Sequence, residues 1–336
     1  MSQRKVMPLE RTPAQFKDHV AAAAIWTLTD GNAGNVRQAD ALAAALGGPT
    51  RGFTLVARAP WRVAAPRALP YARIAFGDAY ARALAQPPQL AIGCGRQGAL
   101  ATRLAGHAGA RTVQILDPRI DPRHWDLVIA PDHDGLRGDN VLTVTGSLHP
   151  VDDAWLAAAR AAHPALGSLP GPRTALLLGG PSRHVGFDVA AFERLATMLL
   201  PRIAAERGSL LATVSRRTPP DVASALRARA ADLPGVCWTG PGDGANPYAG
   251  LLAWADRIVS SADSVNMLSE ASATRVPVFV AEPDGVRGRP RQFIDALLSR
   301  GRVRALDAAL APFDVVPLRE TARIAALVRA RLGLRN

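Results

Sequence analysis

The chain reads as an α/β protein built from two similar halves, on three observations. Short continuous apolar runs alternate with alanine- and leucine-rich stretches of helical spacing. A break rich in proline and glycine divides that alternation near its middle. The 336 residues suffice for two domains of roughly 150 each. A composition 48% hydrophobic and 20% charged supports packed cores and excludes a disordered chain.

The elements follow in order. Residues 1–19 are polar, contain Pro8 and Pro13, and read as a loose N-terminal arm. Residues 20–162 form the first domain. Its strand candidates are Ala24–Leu28, Phe53–Val56, Leu90–Cys94, Thr112–Leu116, Leu127–Ala130 and Val141–Val144. They lack polar alternation, as strands of a parallel sheet do when helices cover both faces. Val36–Leu46 and Gln97–Ala105 supply crossover helices. Residues 163–172 hold Pro164, Pro170, Pro172, Gly167 and Gly171 and read as a linker.

Residues 173–305 repeat the pattern, with strands at Ala175–Leu178, Leu210–Val214, Val236–Trp238, Arg257–Ser260 and Pro277–Val280. Asp188 is placed to cap a helix whose Val189, Phe192, Leu195 and Leu199 share a face. Further helices are expected from Pro220 to about Ala231, from near Ser264, and near 291–300. Residues 306–336 close the chain with a helix near 319–332. Its stripe of Ile324, Leu327, Val328 and Leu332 is available to pack back on the first domain, and Gly333 ends it.

Forty Lys+Arg against 28 Asp+Glu give a net charge of +12, carried almost entirely by arginine. Such an excess attracts nucleic acid, lipid phosphate or a phosphorylated small molecule. No basic helix, aromatic RNP motif or zinc module accompanies it, which removes nucleic acid. Cys94 and Cys237 are too few and too far apart for a disulfide framework or zinc site. No apolar run approaches the ~20 residues of a membrane span. The start lacks a secretory pattern. A cytoplasmic protein is expected, peripheral to the inner membrane where Arg58, Arg62, Arg67 and Arg73 interleave with Trp61 and Tyr71.

Ligands of open α/β sheets collect beyond the carboxyl ends of the strands, and the motifs fall there. After the first strand come Asp30, Gly31, Asn32 and Gly34, glycines that admit a ligand close to a helix start. The pattern is not GxGxxG, so a dinucleotide oxidoreductase is disfavoured. Arg96 and Gln97 follow the third strand. His133 lies between Asp132 and Asp134, two carboxylates that favour its protonated form and suit it to proton transfer. In the second half, Gly179-Gly180-Pro181-Ser182-Arg183-His184 forms a candidate phosphate cradle. Ser215 and Arg216 close the next strand. Asp263 or Ser264 can cap a helix whose start faces a diphosphate, with Asn266 and Met267 in its first turn and Glu270 within reach of a ribose.

Asp256, Ile258, Ser260, Glu270, Pro277 and Val278 resemble the skeleton of the nucleotide-binding half of GT-B glycosyltransferases. Ala262-Asp263-Ser264 stands where that pattern has small glycines. The ordered set is more specific. Thr29-Asp30-Gly31, Gly93-Cys94-Gly95-Arg96-Gln97, Asp117-Pro118-Arg119, Pro131-Asp132-His133-Asp134, Gly179-Gly180-Pro181-Ser182, Ser215-Arg216-Arg217-Thr218 and Ala262-Asp263-Ser264-Val265-Asn266-Met267 resemble the mitochondrial fission ELM ("elongated mitochondria") family over roughly residues 22–300.

The resemblance implies a bacterial member with a GT-B-like fold, two Rossmann-like α/β/α domains whose parallel sheets face a central cleft. It implies a metal-independent glycosyltransferase using a UDP- or GDP-sugar as co-substrate, with no other cofactor and a lipid or glycan acceptor. Asp30 or His133 would take the acceptor proton, and Arg183 and Arg216 would hold the leaving diphosphate. The alternative is a non-catalytic adaptor of the same fold that binds a protein or lipid partner.

Overall fold

The computed structural model describes residues 24–334, so the arm read at 1–19 lies outside the described residues. Six parallel strands make the first sheet: β1 (Ile25–Thr29), β2 (Thr50–Thr54), β3 (Leu90–Cys94), β4 (Arg111–Ile115), β5 (Leu127–Pro131) and β6 (Val141–Val144). Their spatial order is β2-β1-β3-β4-β5-β6. The second sheet contains β7 (Arg173–Leu178), β8 (Ser209–Val214), β9 (Gly235–Trp238), β10 (Arg257–Ser261), β11 (Val278–Ala281) and β12 (Arg304–Ala305), ordered β12-β11-β10-β7-β8-β9.

The helices are α1 (Ala33–Leu46), α2 (Trp61–Ala64), α3 (Asp78–Ala83), α4 (Gly95–His107), α5 (Asp153–Ala162) and α6 (Pro164–Gly167). Then come α7 (Val189–Ala205), α8 (Pro220–Ala230), α9 (Tyr248–Trp254), α10 (Val265–Ser272), α11 (Arg289–Ser299) and α12 (Thr321–Leu332). None of them is long and apolar enough to cross a membrane, among the described residues.

The apolar runs became strands because both faces of each sheet are covered. Every residue of β1, β3, β5, β8, β10 and β11 is buried. Phe192, Leu195 and Leu199 of α7 pack on Leu176 and Leu178 of β7, an outcome fixed by the 3.6-residue spacing and the Asp188 cap. β2 begins earlier than its apolar run, at Thr50 and not Phe53. It is an edge strand paired to β1 through Ile25↔Thr50, and it is largely exposed, so its ladder and not its hydrophobicity defines it.

The stretch 163–172 carries a helical turn, α6, whose Leu166 is buried and whose Gly167 lies against the Trp254 ring. Helix α12 returns to the first sheet. Its Ile324, Ala325 and Val328 join the core of β3, β4 and β5, and Arg329 donates to the Ala45 and Leu46 carbonyls at the end of α1.

Strand order determines where loops can diverge. In the first sheet the connection reverses direction between β1 and β3, registered Ile25↔Leu90. In the second it reverses between β7 and β10, registered Arg257↔Thr174. Neighbouring strands there send their chains to opposite sides, opening a crevice at their carboxyl ends. Asp30–Asn32, Gly95, Gly179–His184 and Ala262–Ser264 all follow these four strands.

Candidate functional site

At the first crevice, the Asp30 carboxylate accepts from the Asn32 N–H at 3.1 Å, Asn32 Nδ2 at 2.7 Å and Asn35 Nδ2 at 3.0 Å. These bonds hold it at the mouth of α1. Gly31 has φ +80°, a backbone that favours glycine. Gln97 is turned to the β2 loop, accepting the Ala57 N–H at 2.6 Å, and Arg96 donates to the Arg62 carbonyl. Helix starts converge here. A methyl on Gly95 would come within 2.5 Å of Asn35 Nδ2, and a side chain at Gly34 would overlap Asn266 across the cleft. The N-termini of α1, α4 and α10 therefore meet around Asn35 and Asn266. None of the three has an acidic residue in its first turn, so their partial positive charge is left unneutralised within those helices.

At the second crevice, Ser264 caps α10 by accepting the Met267 N–H, and Met267 packs into the adjoining core. Asp263 is buried and bonded to Gly180, Ser261 and Arg217. Ser182 and Arg183 are exposed. Ser182 Oγ accepts the His184 N–H, and Arg183 Nε donates to His184 Nε2 at 2.9 Å. Ser215 binds Thr218 in a tight turn, and Arg216 is exposed. Among the described residues neither Arg183 nor Arg216 has a carboxylate partner.

Glu270 differs from the expectation of a carboxylate open to a ribose. It is buried, with Oε1 2.5 Å from Arg37 Nε of α1 and Oε2 accepting from Tyr248 OH at 2.5 Å. The Arg37 guanidinium is flanked by the Tyr248 and Trp155 rings, at 5.2 and 5.9 Å. Burial pushes the Glu270 carboxyl above its usual range, against the opposing pull of Arg37 and Tyr248. The two halves are thus joined by an ion pair at the predicted ribose contact.

His133 requires a correction. The Asp132 and Asp134 carboxylates do raise its proton affinity, but burial dominates and lowers it, aided by the Arg289 charge. Asp134 is committed to Arg289 Nη1 at 2.9 Å, and the His133 ring lies 5.6 Å from Phe293 of α11. The neutral imidazole is favoured, sitting in a second contact between the halves.

Arg37, Tyr248, Trp155 and Arg289 escaped the sequence-based site. Arg37 lies one turn into the helix opened by the Asp30 motif, which is a usable signal. Nothing local links it to Glu270.

A lobe at residues 55–77 stands beside this edge. Arg58 N–H donates to the Ala75 carbonyl and Trp61 Nε1 to the Pro70 carbonyl, pinning its two limbs. Ala65 and Ala75 pack inward on Leu100 of α4. Val56, Val63 (76% exposed), Tyr71 (84% exposed) and Ile74 remain outside with Arg58, Arg62, Arg67 and Arg73. The segment contains no acidic residue.

The family profile described as "Mitochondrial fission ELM1" matches residues 33–332, nearly the whole described chain. The chain belongs to the mitochondrial fission ELM1 family. The mitochondrial fission protein ELM1 of Arabidopsis thaliana is 32% identical over an alignment of 280 residues that covers 74% of this chain. This ELM1-family chain spans 65% of that relative, just under two thirds of its length. Among solved structures, the UDP-GlcNAc 2-epimerase of Methanocaldococcus jannaschii aligns with TM-score 0.57 at 11% identity, over 91% of this chain and 99% of the enzyme. The UDP-GlcNAc 2-epimerase of Neisseria meningitidis, bound to UDP-GlcNAc, aligns at 0.50 and 12% identity, over 92% and 99%. At such identities these likenesses concern the fold, and this ELM1-family member has the GT-B-like fold.

Proposed function

We propose that this protein binds a nucleotide sugar between its two halves and transfers the glycosyl group to a lipid or glycan acceptor. The supporting observation is the meeting of three helix N-termini, of α1, α4 and α10, with no acidic residue in their first turns. Aligned peptide dipoles and free N–H groups at helix starts attract a diphosphate without a metal ion. Asp30, held at that junction by two asparagines, is the candidate base for the acceptor proton. Exposed Arg183 and Arg216 are the candidate cations for the leaving diphosphate. The nucleotide-sugar ligand of the Neisseria epimerase agrees with this donor class.

Titration with UDP-, GDP-, ADP- and CMP-sugars tests the reading. Binding to the native state by one of them should stabilise it by about 2.7 kcal/mol at a hundredfold excess over Kd. Asp30→Asn should keep that stabilisation and lose turnover. No shift with any of the four removes the donor reading. The engagement of Glu270 by Arg37 favours the second reading, a non-catalytic adaptor, and the same null titration would leave it standing.

The lobe's exposed apolar and arginine side chains suit attachment to an anionic membrane surface. Co-sedimentation should occur with anionic and not neutral vesicles. The Arg62→Ala/Arg67→Ala variant should weaken it by about 1 kcal/mol per arginine. Equal failure on both vesicle types removes this attachment.

A further inference from the structure

We propose that Asp263 is a specificity-determining residue, a resident anion that fills the Gly179–Gly180 cradle and denies it to a ligand phosphate. The proposal rests on reading the crevice beyond β7 and β10 as the ligand site. Gly179 and Gly180 offer two successive N–H groups, the arrangement that cradles anions. Both are taken. The Gly180 N–H donates to Asp263 Oδ2 at 2.8 Å. The Gly179 N–H donates to Ser261 Oγ at 2.7 Å, and that hydroxyl donates to Asp263 Oδ1 at 2.6 Å. Arg217 Nη2 completes the set on Oδ2 at 2.8 Å.

Two N–H groups, a hydroxyl and a guanidinium are the donors a phosphate would require; a carboxylate of the chain itself takes the Gly180 N–H, the hydroxyl and the guanidinium directly, and the Gly179 N–H is spent on that same hydroxyl. The glycines are needed for this. A side chain at Gly179 would overlap the Asp263 carboxylate, and one at Gly180 would overlap the Arg217 backbone. The Asp263 side chain is 1% exposed while Arg217 is 48% exposed. The anion is therefore internal and its cation is half exposed. A cavity of about 60 Å³ borders Asp263 and Ser261, too small for a diphosphate beside the carboxylate. A second anion here would meet a buried like charge, so a bound diphosphate lies outward, toward the α1, α4 and α10 starts.

The test is titration of inorganic pyrophosphate into the full chain, following the Gly179 and Gly180 amides by NMR. In the wild type these two amides should not move. Asp263→Asn keeps the shape and an acceptor for Gly180 while removing the charge that neutralises Arg217, and it should bind pyrophosphate at least tenfold more tightly than wild type. Adding Arg217→Gln should abolish the gain. Asp263→Ser, run beside it, covers the case in which the amide variant does not fold. Movement of both amides in the wild type would overturn the proposal, as would folded Asp263→Asn or Asp263→Ser with no gain. Nucleotide-sugar binding is read separately at the Asn35, Gly95 and Asn266 amides. Its failure leaves the Asp263 result untouched.

Discussion

Arg37→Met should lower stability by about 3–5 kcal/mol and let the two halves part. Glu270 has a side chain only 4% exposed, and with Arg37 gone its carboxylate keeps Tyr248 OH as its hydrogen-bond donor. A buried charge stripped of its partner is costlier than the pair it came from. Glu270→Gln should cost less, because Arg37 is 35% exposed and still stacks on Tyr248 and Trp155. The double variant Arg37→Met/Glu270→Gln should recover part of the loss. Denaturant unfolding of all four proteins gives the coupling energy, and small-angle scattering gives the separation of the halves. A coupling below about 0.5 kcal/mol would mean that the pair does not hold them together.

Acid should weaken the protein through His149. Its ring is buried between Arg37 of the first half and the Leu318–Thr321 segment entering α12. Burial and the Arg37 and Arg319 charges lower its proton affinity, opposed by Glu320 and the Leu318 carbonyl, and its pKa falls to about 4 from 6.5. Between those values the unfolded chain binds the proton and the folded chain does not. The stabilisation is therefore complete above pH 6.5 and lost as pH falls toward 4, by about 3 kcal/mol in all. Exposed Asp153 and Asp243, which their arginines hold below the usual carboxylate range, act at still lower pH. Unfolding free energies at pH 7, 5.5 and 4.5 should show the slope, and His149→Gln should flatten it. An unchanged slope in that variant would assign the acid sensitivity elsewhere.

The strands and helices were legible where burial on both faces left an unbroken apolar run, as in Leu90–Cys94 and Leu127–Ala130. The run at Phe53–Val56 misled because an edge strand is held by its ladder and presents mixed side chains to solvent. β12, two exposed residues long, has no apolar signature at all. Ser264 as the cap of α10 could be read from local chemistry, since a cap bonds only two or three residues ahead. The commitments of Glu270 and Asp263 could not. Arg37 and Arg217 reach them through the fold, from helices and turns far away in the chain. His133 misled for a related reason, because its flanking carboxylates are visible in sequence and the α11 face that dries it is not.

The seat of α12 bears on how the protein is made. Ile324, Ala325 and Val328 complete the core around β3, β4 and β5, yet they follow the whole second sheet in the chain. The first half emerges with one flank open and stays so while the second half is synthesised, a period in which exposed apolar surface invites association with other chains. Only when α12 has followed the second sheet out of the ribosome can that flank close. A helix made after the second sheet thus sets when the first is finished, and it ties the folding of the two halves together.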